Sequence, residues 1–118
     1  MASEVTHGNL DQTVTCFLGD EDVIYEATQI FDALSDCTRF RILAALCAGE
    51  RGVSDLQEVC QVSQSAISHQ LRMLRDRGLV TARRDGQRVI YRLADDHVAM
   101  LISVGLSHAA ELTGKEGE

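Results

Sequence analysis

The sequence predicts a mainly α-helical domain with one β-hairpin, about five helices and two strands in 118 residues. Two observations predict this class. Apolar residues recur at helical spacing through most of the chain, and residues 79–93 alternate apolar and polar side chains around an Asp-Gly pair. A chain of this length is expected to form one domain. We place it at residues 20–112, between a mobile N-terminal arm (1–19) and a C-terminal tail (113–118).

Composition narrows the class of protein. Pro and Trp are absent and aromatic residues make up 4% of the chain, so the expected core is aliphatic and thin. A homodimer would add to such a core. The sequence has no apolar run that could span a membrane and no signal-peptide character at its N-terminus, so we expect a cytoplasmic protein. In that reducing compartment the four cysteines, which form no CxxC motif, are expected to be free thiols.

The net charge of −7 is distributed unevenly. Residues 64–92 contain seven arginines and two acids, a local charge of +5, whereas the rest of the chain carries −12. Phosphate binding depends on the charge of one face rather than on the total. The basic segment is therefore compatible with binding to nucleic acid.

Two helices are predicted in the first half of the chain. Asp20–Leu34 combines an acidic first turn with an apolar stripe. Asp36 can cap a second helix, Cys37–Ala48, and Gly49 would end it. Cys37 is expected to pack as a small hydrophobe. The other residues expected to face inward in this helix are Phe40, Leu43, Leu46 and Cys47.

A capping box of the form S-x-x-Q at residues 54–57 predicts a short third helix, ending near Cys60. Leu56 and Val59 are expected to face inward. Residues 61–62 would form a short turn into the next helix. Two helices joined by so short a turn are typical of a helix-turn-helix.

The helix from Ser63 to Gly78 is the stretch around which the rest is organised. Ser63 is a good N-cap. Ile67, Leu71 and Leu74 form an apolar stripe at i, i+4 and i+7. The opposite side carries short hydrogen-bonding side chains and cations, the mixture that base edges and phosphates in a major groove require. The candidate DNA-binding residues are Gln64, Ser65, Ser68, His69, Arg72 and Arg75.

The alternating stretch that follows predicts a basic hairpin. Asp85-Gly86 is typical of a type I′ turn, in which both central residues have positive φ. Arg84 and Arg88 flank this turn and complete the set of candidate DNA-binding residues. A helix-turn-helix followed by a basic hairpin predicts a winged helix-turn-helix that binds DNA. The alternative interpretation is an ordinary surface helix with a solvated hairpin.

Asp95 and Asp96 can cap a last helix, from about His97 to Leu112. Five of its residues follow each other at steps of four and three, a heptad-like seam that is typical of a helix facing a partner helix. We expect this seam to pair with its own copy in a dimer. The seam residues are His97, Leu101, Val104, His108 and Glu111.

Both ends of this seam carry metal-ligating side chains. His108 and Glu111 share a face at i, i+3, and Asp95 and His97 form a D-x-H pair at the other end. The histidines lie about 16 Å apart along the helix, too far for one ion that holds its ligands at about 2.0–2.2 Å. An antiparallel pair of last helices would bring the four ligands together twice per dimer, in a set that suits Zn(II), with Co(II) as a substitute. The alternative is a polar-edged dimer seam without metal.

The sequence resembles the ArsR/SmtB family of metal-responsive winged-helix repressors over about residues 23–112. The stretches that carry the resemblance are LSDCTRFRILAAL, VSQSAISHQLRMLRDRGLV, RRDGQRVIYRL and DDHVAMLISVGLSHAAEL. The D-x-H and H-x-x-E pattern is similar to that of zinc- and cobalt-sensing members. The resemblance implies that the metal-free dimer binds an inverted repeat in its operator and that zinc releases it. It also implies that His108 donates a hydrogen bond to a carbonyl near Gly78, a link that could couple metal to DNA.

The sequence departs from many family members at the start of the third helix. Where they carry paired cysteines in a pattern like ELCVCDL, this chain reads ERGVSDL, with Gly52 and Ser54 at the cysteine positions. A thiolate site for cadmium, lead or arsenite is not expected there. The alternative function within the same fold is a thiol-based arsenite or redox sensor that uses Cys16, Cys37 or Cys60.

A third hypothesis is a zinc-storage or interaction module whose wing is only structural. An enzyme is not expected, because a zinc ion with four protein ligands has no open position and no nucleophile–base pair is evident. We therefore expect no small organic substrate. Whether His7 and Cys16 in the arm assist in binding metal stays open.

Overall fold

The computed structural model describes residues 12–115, and this range contains six helices and three strands. Residues 1–11, with His7, and residues 116–118 lie outside it. The elements are α1 (12–17), α2 (Glu21–Leu34), α3 (Cys37–Cys47), β1 (Arg51–Gly52), α4 (Val53–Cys60), α5 (Gln64–Asp76), β2 (Val80–Asp85), β3 (Arg88–Leu93) and α6 (Asp96–Leu112). The sequence analysis missed α1, which lies in the predicted arm, and the two-residue strand β1.

The chain divides into two compact units, residues 1–32 and 33–118. The described part of the first unit contains α1 and most of α2, where the Asp20 carboxylate accepts a hydrogen bond from the Val23 amide at 3.2 Å. The second unit contains every predicted DNA-binding and metal-ligating residue. Within residues 12–115, no helix combines the length and the apolarity that crossing a membrane requires.

The core of the second unit is aliphatic, as predicted. The stripe of α5 is completely excluded from solvent, and no polar or charged residue among those described is buried. Burying one such aliphatic side chain stabilises the fold by about 1.5–3 kcal/mol. The largest fully buried side chains are Ile42, Leu43, Leu56, Ile67, Leu71, Leu74 and Ile102.

The buried face of α3 matches the predicted one in part. Leu43 and Leu46 are buried as predicted, and Phe40 is half-buried with its ring beside Gly105 of α6. The prediction that Cys37 and Cys47 pack inward is wrong, because both are exposed, and Ile42 is completely buried although it was not selected. Apolar residues occur on more than one side of this helix, so their spacing alone does not decide which side meets the core.

Helix α4 begins earlier than its predicted capping box. Gly52 is the N-cap residue, and the Asp55 carboxylate accepts a hydrogen bond from the Gly52 amide at 3.2 Å. Ser54 therefore already lies inside the helix. Val59, predicted to face inward, is exposed, whereas Cys60 is buried.

The turn between α4 and α5 begins with a residue in the left-handed region. Gln61 ends α4 at φ +58°, and its amide donates to the Gln57 carbonyl at 2.6 Å. A left-handed conformation costs a residue other than glycine about 1–2 kcal/mol. It also turns the chain sharply enough for Ser63 to start α5 two residues later, which gives the predicted helix-turn-helix.

The N-terminus of α5 is capped as predicted, since the Ser63 hydroxyl accepts from the Ala66 amide at 3.1 Å. Replacing Ser63→Ala leaves that amide without its side-chain partner. We expect the free energy of unfolding to fall by about 0.5–2 kcal/mol, measured by urea denaturation of the purified protein. Ser68→Ala, an exposed mid-helix serine, is the matched control. An equal loss in both variants would contradict the capping role.

The C-terminus of α5 closes on a Schellman motif. The Leu79 amide donates to the Leu74 carbonyl and the Gly78 amide to the Arg75 carbonyl, each at 2.9 Å. Gly78 adopts φ +75°, a conformation that glycine reaches without a Cβ clash. Strand β2 therefore begins within four residues of the end of the helix.

The sheet is antiparallel with the strand order β1-β3-β2. In the added strand, Arg51 lies opposite Tyr91 and Gly52 opposite Ile90. This pairing ties the start of α4 to the hairpin. Two residues are too few to show the alternation by which a strand is recognised in sequence.

The hairpin turn lies one residue later than predicted. Asp85 pairs with Arg88, so the two-residue turn is Gly86-Gln87. Only Gly86 has positive φ, at +67°, which corresponds to a type II′ rather than a type I′ turn.

The junction of β3 and α6 is tied to the junction of α5 and β2. The Ala94 amide donates to the Leu79 carbonyl at 3.0 Å. The next residue, Asp95, is the N-cap of α6, and its carboxylate accepts from the Val98 amide at 3.2 Å. Helix, hairpin and last helix therefore follow one another almost without connecting loops.

Candidate nucleic-acid interface and metal ligands

The predicted DNA-facing side of α5 is exposed along its whole length. It lies opposite the buried stripe, as the periodicity predicted. The exposed residues are Gln64, Ser65, Ser68, His69, Arg72 and Arg75. A rigid core face thus presents hydrogen-bonding groups at the start of the helix and cations at its end, the order in which a helix lying in a major groove would use them.

Arg84 and Arg88 are also exposed, on the two strands that flank the turn. Arg88 is paired within the protein, because its Nη2 donates to the Asp55 Oδ2 at 3.2 Å. A second arginine of the hairpin, Arg83, donates to Glu50 at 2.6 Å. Each pair joins positions 33 residues apart, so the sequence pattern gave no sign of either.

The hydrogen bond from Arg83 lowers the pKa of the Glu50 carboxyl, and the charge of the guanidinium adds to that effect. The same hydrogen bond raises the pKa of Arg83. Both side chains are well exposed, so solvent screens the pair and its contribution to stability is small.

A cleft of about 280 Å³ lies between the start of α4, the start of α5 and the hairpin turn. It joins the two parts of the predicted DNA-binding surface. Ser54 and Gln87 line it although the sequence analysis selected neither. The lining residues are Val53, Ser54, Gln64, Gln87, Arg88 and Val89.

Arg39 connects Ala33 to the middle of α5, within the second unit. Its Nε donates to the Ala33 carbonyl at 2.8 Å, and its Nη1 donates to the Gln70 side chain at 3.3 Å. A side chain at the start of α3 thereby links the Ala33 backbone to the helix predicted to contact DNA.

The four predicted metal ligands lie in two exposed pairs at the ends of α6. The His97 Nδ1 is 3.9 Å from the Asp95 Oδ1, and the His108 Nδ1 is 3.8 Å from the Glu111 Oε1. The histidine side chains are 89% and 70% exposed. Within residues 12–115 of one chain, no three His, Cys, Asp or Glu side chains come together as a metal-binding group. A four-ligand site therefore requires a second chain.

The outer surface of α6 is also apolar. Four of its large hydrophobic side chains are between 50% and 76% exposed: Met100, Val104, Leu106 and Leu112. Val104 belongs to the predicted seam. An exposed apolar face of this kind is typical of a helix that a partner covers.

The cysteines give little support to a thiol sensor. Cys60 is buried, and burial raises the pKa of its thiol. The reactive form of cysteine is the thiolate, so this shift disfavours reaction. Cys16 and Cys37 are exposed, and neither belongs to a metal-binding group of the described residues.

The helix-turn-helix, its basic hairpin and the exposed polar side of α5 define a winged helix-turn-helix DNA-binding protein. Residues 36–82 match the family described as bacterial regulatory protein, arsR family. The chain is 43% identical over 90 residues to the transcriptional repressor SmtB homolog of Synechocystis sp.. This alignment covers 76% of this chain and 68% of the relative. It is 39% identical over 93 residues to the HTH-type transcriptional regulator NmtR of Mycobacterium tuberculosis, covering 79% and 78%.

The fold also matches a solved structure. A homodimeric winged helix-turn-helix DNA-binding domain from Mycobacterium bovis, a possible ArsR-family transcriptional regulator, superimposes with a TM-score of 0.75 at 30% identity. The match covers 83% of this chain and 91% of that domain. The chain therefore belongs to the arsR family of bacterial transcriptional regulators. It is a DNA-binding regulator and not an enzyme.

Proposed function

We propose that this regulator is a zinc-released repressor that acts in the cytoplasm. Its metal-free homodimer binds an inverted repeat in an operator, and Zn(II) bound between the two α6 helices releases the DNA. One observation carries the proposal: two exposed histidine–carboxylate pairs lie at opposite ends of one helix. Two pairs separated along a helix are what an antiparallel partner needs to complete two sites.

The donor set fits zinc. Two imidazole nitrogens and two carboxylate oxygens match its preference for tetrahedral N/O ligation. Asp95 uses Oδ1 to cap α6, so its second oxygen is available to a metal. All four side chains are more than half exposed in the single chain, which leaves them accessible to ligands from a partner.

The four ligands and the end of α5 would together transmit the effect of zinc binding to the DNA-binding surface. When bound, zinc would link the two subunits through imidazole and carboxylate ligands. Asp95 and His97 would hold one end of each α6 against His108 and Glu111 of the other. The hydrogen bond proposed from His108 to a carbonyl near Gly78 would orient the imidazole. It would also connect the site to the end of α5, and so to the presentation of the recognition helix.

The test is DNA-binding anisotropy on the gene's own upstream region, with and without stoichiometric Zn(II) under reducing conditions. We expect the affinity to fall by about 10-fold or more, a coupling of about 1.4 kcal/mol. The expected stoichiometry is two ions per dimer, and Co(II) should give the absorption spectrum of a tetrahedral site. DNA binding that is indifferent to zinc would contradict the proposal.

Arg72→Ala tests the assignment of α5 independently. Arg72 is an exposed cation beside the buried stripe, and we expect its loss to weaken DNA binding by the equivalent of about 1–3 kcal/mol if it contacts a base. Zinc affinity should not change, because the residue lies on another element from the ligands. Anisotropy and a competitive zinc titration measure the two effects. Arg41→Ala, which removes an exposed arginine of α3, is the control. An equal loss of DNA affinity in this variant would contradict the assignment of α5 as the DNA-contacting helix.

A further inference from the structure

One arginine of the predicted DNA-binding surface is held by the protein itself. Arg88 donates to the Asp55 carboxylate at 3.2 Å, with the two side chains 57% and 49% exposed. The guanidinium also occupies the space beside Gly52, where an added Cβ would lie 2.5 Å from the Arg88 Nη2. The Asp55 carboxylate and the space left by the missing side chain of Gly52 together define the position of the Arg88 guanidinium.

Asp55 is fixed in place independently of Arg88. The same Oδ2 that accepts from Arg88 also accepts from the Gly52 amide at 3.2 Å, at the start of α4. Gly52 in turn pairs with Ile90 on the strand that carries Arg88. Backbone pairing therefore sets the distance between the carboxylate and the arginine, and Asp55 cannot follow the guanidinium outward without losing its contact with the helix start.

The held guanidinium lies where DNA is expected to pass. Arg88 lines the cleft between the start of α5 and the hairpin turn, together with Gln64 and Gln87. Two sides of this cleft, the start of α5 and the hairpin, carry predicted DNA-binding residues, Gln64 and Arg88. A phosphate that approaches them meets an arginine already bound to a carboxylate of this chain.

We propose that Asp55 limits the affinity of the dimer for DNA by competing with a backbone phosphate for Arg88. Carboxylate and phosphate oxygens accept charge-assisted hydrogen bonds from a guanidinium in the same way, so binding DNA exchanges one partner for the other. The exposed ion pair is weak enough for this exchange. The inference rests on the DNA-binding role of the wing and does not depend on zinc.

The exchange has a consequence for salt dependence. An arginine that reaches a phosphate releases cations from the DNA, with a slope of about −0.9 in log affinity against log salt for each phosphate neutralised. When Arg88 leaves, the Asp55 carboxylate loses its counter-ion and attracts a cation from solution. That uptake cancels part of the release, so the pair makes the salt dependence of the wild type shallower.

The experiment uses the full-length, metal-free dimer and a fluorescein-labelled duplex from the gene's own upstream region, over a series of KCl concentrations. Asp55→Asn keeps an oxygen for the Gly52 amide and removes the charge that holds Arg88. We expect it to bind about threefold tighter or more, with a slope steeper by up to about 0.9 per subunit. The gain should vanish when Asp55→Asn is made in an Arg88→Ala background.

Gly52→Ala is a second test that changes no charge. The added methyl group takes the space of the Arg88 guanidinium, so we expect tighter binding although the net charge stays the same. Far-UV circular dichroism establishes that the variant is folded. If Gly52→Ala is not folded, the proposal is tested by Asp55→Asn alone, compared in the wild-type and Arg88→Ala backgrounds. Glu50→Gln, which breaks the Arg83 pair with the same change in charge, is the matched control and should respond equally with or without Arg88.

Three results would overturn the proposal. They are an equal gain from Asp55→Asn in the Arg88→Ala background, weaker binding by Asp55→Asn, and unchanged binding by a folded Gly52→Ala. Failure of zinc to release the wild type would contradict the proposed function instead. It would leave this comparison intact, because every variant is measured without metal.

Discussion

A His108→Ala dimer is expected to bind its DNA as tightly as the wild type and to remain bound when zinc is added. The imidazole lies 3.8 Å from Glu111 on the exposed surface of α6 and supports nothing in the core. Its loss would take one ligand from each of two sites and remove the hydrogen bond proposed toward Gly78. The wild-type release of about 10-fold or more should therefore disappear, measured by anisotropy with and without Zn(II).

His69→Ala is the matched control, since it removes an exposed imidazole from α5 instead of α6. We expect the reverse result: weaker DNA binding with an intact zinc response. His97→Ala, at the other end of α6, should reproduce His108→Ala. A normal zinc response in both α6 variants would contradict the assignment of the zinc site to this helix.

Leu71→Ala is expected to lower the free energy of unfolding by about 2–5 kcal/mol. Leu71 is completely buried at the centre of the α5 stripe, so truncation leaves a cavity as well as less apolar contact. Domains of this size are stable by about 5–15 kcal/mol in total, and a loss of this size removes a large part of that. Urea denaturation at one fixed protein concentration measures the change, because the stability of a dimer depends on concentration.

Leu18→Ala is the control for the loss of the leucine side chain, because Leu18 is 68% exposed. Surface substitutions usually stay within about 0.5 kcal/mol. If the Leu71 variant loses no more stability than the Leu18 variant, α5 is not packed through the stripe described above.

The elements that local chemistry defines were predictable from sequence. The α5 helix has a serine N-cap, a strict i, i+4, i+7 stripe and a glycine after its end, and all three features are confirmed. The N-cap of α6 at Asp95 is confirmed for the same reason. Hydrogen bonds over three or four residues and a single apolar face leave few alternatives for such helices.

The errors arose where distant residues decide the local structure. Strand β1 exists because Gly52 pairs with Ile90 of β3. A two-residue strand has no sequence pattern from which this pairing could be predicted. With this strand, α4 starts at Val53, one residue before the predicted capping box. The ion pair between Asp55 and Arg88 spans 33 positions and becomes visible only after the sheet has formed.

The proposed metal site could not be derived from a single chain, for a geometric reason. Spacing on α6 identifies two ligand pairs, and the structure places each pair on the exposed surface. Completing a site depends on how two copies of the helix align. The alignment of subunits is not encoded in the periodicity of one helix, so the four-ligand site stays a proposal.

The tight junctions of the second unit restrict where the chain can change in length. The Schellman motif at Gly78 and the bond from Ala94 to Leu79 leave no spare residue between α5, the hairpin and α6. An insertion at either junction would break these bonds and shift α6 relative to α5. Within the described segment from α5 to α6, the Gly86-Gln87 turn lies away from both junctions and can accept extra residues without that effect. Natural or engineered variation in wing length is therefore expected at this turn, with the spacing between the recognition helix and the last helix held constant.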